Sequence, residues 1–389
     1  MVPLKKMMLY QQPPVGNLIS LSKSKSDINS LFNPYKVRYY RSGTVSLAAA
    51  IKTAITLNNT PKPEVILPAY GCPDILSAVI FSGAKPVFID FEENKPWMNI
   101  TQVENKISKS TVAIICVNFL GIQERTEIIR NIAKDRGVMT IEDSAQAMPI
   151  CNDDKLWKGD IVVISFGRGK PVNLLGGGAL LYKAESIDTS LDPSIPTTKT
   201  SFLNRTIYRF KVAIYNKIIN PRLYVYLQYL PFLGIGTTEF KPIEYIEGFD
   251  DYRLSILAEN LHTYCNNSVD IQLALSKIID EHRENNNSIL DLPTECSHNL
   301  NHALLRYPLL IDSSSREALY SELNAQGLGP SKLYPTVMPN YLPEDMQQLN
   351  RNEYPCANDF ASRILTLPTH QGLSSEDINR MRKIISPTR

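Results

Sequence analysis

The sequence predicts an α/β protein: a large domain with a mainly parallel central sheet covered by helices, followed by a smaller α+β C-terminal domain. Two observations carry that expectation. Between about residues 42 and 183, short runs of uninterrupted apolar residues alternate with stretches of helical spacing. Strands that are apolar at every position belong to sheets covered on both faces, and such sheets are parallel ones joined by helical crossovers. After about residue 246 the order changes to helices mixed with short strands, which reads as a separate α+β unit.

The elements follow in order. Ser42-Gly43-Thr44 leads into an Ala-rich helical stretch from Val45 to Leu57. Val65 to Pro68 reads as a buried strand, residues 74–81 as a helix and Pro86 to Asp90 as the next strand. Val112 to Asn118 is a strand, Glu124 to Asp135 a helix, and Val138 to Asp143 a further strand. Ile161 to Phe166 and Ala179 to Tyr182 complete the sheet. Beyond it, helices are expected over 251–260, 269–284, 315–326 and 374–385, with a strand over 304–308. Asn285 to Asn287 and Ser313 to Ser315 read as turns. The expected division is 1–245 and 246–389, with residues 197–242 an insertion in the first domain.

Bulk properties narrow the function. The chain has 389 residues, enough for a large core. Its 41 Lys and Arg nearly balance 39 Asp and Glu, so no global field argues for nucleic acid or a membrane surface. Cys72, Cys116, Cys151, Cys265, Cys296 and Cys356 are scattered, without CxxC spacing or neighbouring histidines. Neither a disulfide framework nor a metal site is expected, and a reducing compartment is favoured. The first ten residues lack the apolar stretch of a signal peptide, and no run is long enough to span a bilayer. The expected location is the cytoplasm.

The chemistry lies at the ends of two apolar runs. One run is followed by Ser165-Phe166-Gly167-Arg168-Gly169-Lys170; another ends in Glu142-Asp143-Ser144-Ala145-Gln146-Ala147. Parallel sheets bind ligands at the carboxyl ends of their strands, so Asn118, Asp143 and Ser165 are expected to converge with Lys170. A lysine to form a Schiff base, and a carboxylate to keep a ring nitrogen protonated, are what pyridoxal phosphate (PLP) requires. Each residue alone has a plainer reading: Asp143 as a helix cap, Lys170 as a surface lysine, Ser42 or Thr44 as a helix cap. Their joint occurrence shifts the balance. The Ser42-Gly43-Thr44 turn opens a helix whose free N–H groups and dipole suit the cofactor phosphate, with the Ser165 hydroxyl beside it. Gly176-Gly177-Gly178 precedes a strand and does not join one to a helix, so the dinucleotide fingerprint fails. Close passage of backbone past the cofactor or the lysine loop is the expectation there.

These motifs resemble the DegT/StrS family of PLP-dependent sugar aminotransferases of fold type I, over about Ser42 to Ile385. Ser42-Gly43-Thr44 is similar to the family's phosphate-side turn, Glu142 to Ala147 to its Glu-Asp-Ala-Ala-Gln-Ala stretch, and Ser165-Phe166 with Lys170 to its Ser-Phe-x-x-x-Lys element. Leu367 to Leu373 resembles its Leu-Pro-x-His-x-Gly-Leu segment. The resemblance implies that Lys170 carries the cofactor and moves protons, that Asp143 meets the pyridine nitrogen and that Gln146 lies near the ring's phenolic oxygen. It implies that Gly43, Thr44 and Ser165 hold the phosphate. It also implies a homodimer, an amino donor such as L-glutamate, and a nucleotide-linked keto-sugar acceptor used in polysaccharide or glycoconjugate synthesis.

Departures from the family pattern are specific. Cys72 stands where the family places an aromatic residue on the ring, and Leu333-Tyr334 replaces a His-Tyr pair. Gly248-Phe249-Asp250-Asp251-Tyr252-Arg253 replaces a Gly-x-Asn-x-Arg segment, and Arg168 is offered as a substitute anion contact. Two other readings stand beside the leading one: the same chemistry on a non-sugar or lipid-linked carbonyl, and a non-catalytic sensor or scaffold. His370 reads equally as substrate-facing or structural.

Between Lys199 and Thr238 there are six basic residues (Lys199, Arg205, Arg209, Lys211, Lys217, Arg222) and no acidic ones. Ile207, Phe210, Ile214 and Ile218 share one helical face. Such a face covers its own domain or a dimer interface, or lies on an anionic membrane through residues 201–235, or its cations meet a phosphorylated substrate.

Overall fold

The computed structural model describes residues 10–24, 28–148, 157–191, 195, 197–227, 239–285, 288–342 and 353–386. Cys151, residues 286–287 of the expected Asn285 to Asn287 turn, the first nine residues and residues 228–238 of the basic segment lie outside them.

The amino-terminal two-thirds builds a seven-stranded sheet in the order β1-β7-β6-β5-β4-β2-β3. Its strands are β1 (Lys36–Tyr40), β2 (Glu64–Pro68), β3 (Lys85–Ile89), β4 (Thr111–Val117), β5 (Met139–Asp143), β6 (Ile161–Ser165) and β7 (Gly178–Tyr182). From β3 through β6 the pairings are parallel, while β7 runs antiparallel to both β6 and β1. Every residue of β6 and β7 is buried, as their continuous apolar patterns require. β1 is an edge strand that no apolar run announces; Lys36 and Arg38 point outward to Glu185 and Asp188.

The helices of this part are α1 (Gly43–Asn58), α2 (Pro73–Phe81), α3 (Ile100–Lys106), α4 (Thr126–Lys134), α5 (Glu185–Ser190), α6 (Phe202–Ile218) and α7 (Pro221–Leu227). Ala48, Ala49 and Ala50 bring α1 close against the sheet. The Ser42 Oγ accepts from the Val45 N–H at 3.2 Å, so this serine is spent as the helix cap.

The carboxyl-terminal part contains α8 (Asp251–Cys265), α9 (Asp270–Asn285), α10 (Leu292–Glu295), α11 (Ser313–Ala325), α12 (Pro355–Arg363) and α13 (Ser375–Ile385). Its antiparallel sheet has the order β10-β9-β8, formed by β8 (Ile289–Asp291), β9 (Arg306–Ile311) and β10 (Ile364–Pro368). α8 lies beyond the expected boundary at residue 246, yet its Ile256, Leu257 and Leu261 share a core with Val162, Ile164 and Leu181 of the large sheet.

An extended amino-terminal strap joins the parts. The Gln12 N–H donates to the Gly327 carbonyl at 2.8 Å, the Ser20 N–H to Asn260 Oδ1 at 2.9 Å, and the Asn17 amide to the Pro171 carbonyl at 2.8 Å. Cys72, Cys116, Cys296 and Cys356 are free thiols. Cys265 is disulfide-bonded, a cross-link that the scattered spacing did not announce.

Candidate active site

Asp143 ends β5, level with Val117 of β4 and Val163 of β6. Ser165 ends β6, and the chain then turns through Gly167 to Lys170, whose N–H donates to the Gly167 carbonyl at 3.3 Å. Gly169 takes a φ of 71°, a conformation that favours glycine. Adjacent parallel strands thus deliver the carboxylate and the amine to one end of the sheet. Their proximity shows in the charge balance. Burial pushes the Asp143 carboxyl above its usual range, while the Ala145 N–H at 2.9 Å and the Lys170 ammonium oppose that push.

Gln146 bridges the two parts of the chain. Its Oε1 accepts from the Leu120 N–H at 2.9 Å, and its Nε2 donates to the Tyr334 hydroxyl, also at 2.9 Å. The Tyr70 hydroxyl in turn donates to the Tyr334 carbonyl at 3.0 Å. Cys72 reaches the same place from the start of α2. Burial pushes its thiol up to about 12, with Asp74 adding to the rise, while Lys170 and a hydrogen bond with Tyr334 work against it. The position that lacks the family's aromatic residue therefore sits beside Tyr334, a residue 262 positions further along the chain. Tyr334 is the functional candidate that single-residue reading did not select; the Leu333-Tyr334 departure was its only local signal.

The α1 amino terminus forms the other wall. A Cβ on Gly43 would come within 2.8 Å of the Ser165 Oγ, and one on Gly178 within 2.5 Å of the Gly43 nitrogen. Glycine at both places lets the first turn of α1, with Thr44, press against the end of β6. The glycine run behaves as expected: it carries close backbone passage, with the Phe166 N–H donating to the Gly177 carbonyl at 2.8 Å.

Other candidates are placed differently. Arg168 is exposed at the tip of the lysine loop, where its charge acts on Tyr215 of α6. Asp250 caps α8 by accepting from the Arg253 N–H at 2.9 Å and pairs with the Arg253 guanidinium, while Asp251 accepts from the Thr200 N–H and hydroxyl. Both carboxylates are therefore committed within the chain. His370 is structural: Nε2 donates to the Pro13 carbonyl at 2.9 Å, Nδ1 accepts from the Gly372 N–H, and burial keeps the ring neutral.

A buried polar network backs the site. The Asn118 amide donates to Glu142 Oε1 at 2.9 Å and to Ser144 Oγ at 2.7 Å, and its Oδ1 accepts from the Glu124 N–H. A cavity of about 320 Å³ opens beside this network, between Asn118, Glu124, Ser144, Trp157, His298 and His302. Burial lifts the Glu124 carboxyl to about 7 against the donors Met98 N–H and Arg125 N–H.

The donor set fits pyridoxal phosphate: an amine, a buried carboxylate that forms no salt bridge among the described residues, and a glycine-lined helix terminus flanked by hydroxyls. A fold of this kind with this site defines a transferase of amino groups. Residues 37–192 and 269–386 match the DegT/DnrJ/EryC1/StrS aminotransferase family, and the chain belongs to that family, whose cofactor is PLP. Over 349 residues it is 26% identical to the UDP-N-acetyl-3-dehydro-alpha-D-glucosamine 3-aminotransferase of Acidithiobacillus ferrooxidans, covering 89% of this chain and 82% of that one. It is 32% identical to the GDP-perosamine synthase of Escherichia coli O157:H7 over 148 residues, 37% of this chain and 40% of that one. Among solved structures, Helicobacter pylori PseC, an aminotransferase of pseudoaminic acid biosynthesis, matches with a TM-score of 0.67 at 17% identity. That match covers 94% of this chain and 92% of PseC.

Proposed function

We propose that the chain aminates a nucleotide-linked keto-sugar, with L-glutamate as donor, and that Lys170 and Asp143 are the centre of its chemistry. The observation that carries the reading is the delivery of that amine and that carboxylate to one end of the sheet by adjacent parallel strands. The substrate class is supported by relatives whose names specify UDP- and GDP-linked sugars.

PLP, when bound, supplies an electron sink for the carbon that loses its proton. Lys170 would hold the cofactor covalently through its Nζ and, once freed by the donor amine, would carry a proton between the reacting carbon of donor or sugar and the cofactor. Asp143 would keep the ring nitrogen protonated, and that positive charge would offset the burial that raises the Asp143 carboxyl. Thr44, Gly43 and the other first-turn N–H groups of α1, with Ser165, would hold the phosphate. Cys72 and Tyr334, the latter fixed by Gln146, would line the ring's site where the family has an aromatic residue.

The working unit in this reading is a homodimer and its location the cytoplasm, with the disulfide at Cys265 the exception among described cysteines that are otherwise free thiols. Borohydride reduction of the PLP-loaded protein, followed by peptide mass mapping, tests the assignment. The cofactor mass is expected on the peptide containing Lys170; finding it on another lysine contradicts the assignment.

A further inference from the structure

α6 has two apolar faces, and only one of them is covered. Tyr208, Val212 and Tyr215 turn inward and join the core beneath β6 and β7. The opposite face carries Leu203, Ile207, Phe210 and Ile214, whose exposures are 66%, 43%, 66% and 42%. At 100° per residue these four fall within a 60° arc, pointing away from the buried residues. The expected cover for the domain is thus made by a different face from the one its Ile207-Phe210-Ile214 spacing suggested. Leu223 and Tyr226 of α7 extend the exposed apolar surface.

The charges around this stripe are of one sign. Lys211 and Lys217 flank it, Arg209 and Arg222 are exposed nearby, and neither α6 nor α7 contains an acidic residue. A second copy of the chain laid on this face would bring lysine against lysine, with no carboxylate from either helix to compensate. A surface of anionic lipid supplies the missing charge and takes the apolar stripe into its interfacial layer. No helix among the described residues is long and apolar enough to cross a bilayer, so contact is along the surface.

We propose that α6 and α7 dock the enzyme on an anionic membrane surface through Leu203, Ile207, Phe210 and Ile214, with Lys211 and Lys217 at the lipid headgroups. The inner face of α6 bonds to the lysine loop: the Tyr208 hydroxyl donates to the Leu174 carbonyl at 3.0 Å. The Tyr215 hydroxyl donates to the carbonyl of Asn17, whose amide holds the Pro171 carbonyl. Docking therefore sets that loop about 10 Å, one helix diameter, from the lipid.

Vesicle flotation of the full chain tests this. Vesicles of equimolar phosphatidylcholine and phosphatidylglycerol are expected to carry the wild-type protein, and vesicles of phosphatidylcholine alone to leave it behind. Lys211→Gln with Lys217→Gln is expected to lower partitioning about 30-fold, about fivefold for each cation. Phe210→Ser with Ile214→Ser is expected to abolish it, with the thermal midpoint and the PLP spectrum unchanged because both residues are exposed. Failure of the wild type to float overturns the proposal, as does flotation of the serine variant at the wild-type level. Vesicle-independent dissociation of a dimer by the serine variant assigns the face to a second copy and also overturns it.

Discussion

Asp143 and Lys170 illustrate how a site can be built from two opposite charges whose attraction offsets burial only in part. Burial raises the Asp143 carboxyl, and the lysine amine and a backbone N–H pull it back, leaving a group ready to accept a cationic ring. Asp143→Asn keeps the shape but cannot balance a protonated nitrogen. Turnover is expected to fall by roughly 100-fold or more, while the cofactor stays attached to Lys170 in the mass map. Glu124 gives a second test, through pH. Its folded-state value of about 7 stands above its ordinary 4.5, so the folded protein holds a proton that the unfolded chain has already released. Stability therefore falls as pH rises from about 4.5 to about 7, by at most roughly 3 kcal/mol. Glu124→Gln is expected to flatten that part of the Tm profile; an unchanged slope would contradict it.

At the scale of elements, the α1 amino terminus depends on the glycine run that backs it. Gly177 has a φ of 102°, and a Cβ there would lie 2.3 Å from the Phe249 ring. Gly177→Ala is expected to cost roughly 2–4 kcal/mol from strain and overlap, read as a lower calorimetric midpoint and weaker PLP binding. An unchanged midpoint would show that the ring moves aside freely. The strands that carry the site were legible because each is a short, continuous apolar run with its functional residue at the end. β1 was not, because an edge strand with Lys36 and Arg38 facing solvent has no such run. β10 was missed although Ile364-Leu365-Thr366-Leu367-Pro368 is a short, largely apolar run, buried throughout, of the kind that revealed the large sheet. Asp143, Ser165 and Lys170 could be read locally. The Gln146–Tyr334 bond joins residues 188 positions apart, and the strap contact from Asn17 to Pro171 spans 154; neither has a periodic signature.

For the whole molecule, the division at residue 246 is the expectation that the packing qualifies most. α8 shares the core beneath β6 and β7, whereas α9 packs on β8 and α13, so we propose that the spatial boundary falls near α9, between residues 265 and 270. Limited proteolysis is expected to cut between α8 and α9 before it cuts within either sheet; first cleavage near residue 246 would restore the earlier boundary. Sedimentation of the PLP-loaded protein is expected to give twice the monomer mass, and a monomer that remains active would contradict the homodimer. The central claim, that this chain uses Lys170-bound PLP to transfer an amino group, is tested most directly by the visible absorption of the PLP-loaded protein during titration with L-glutamate. The band of the lysine-bound cofactor is predicted to disappear as that of its amine form appears, and addition of a keto-sugar nucleotide to reverse the change. A lysine-bound band that no amino donor alters would contradict it.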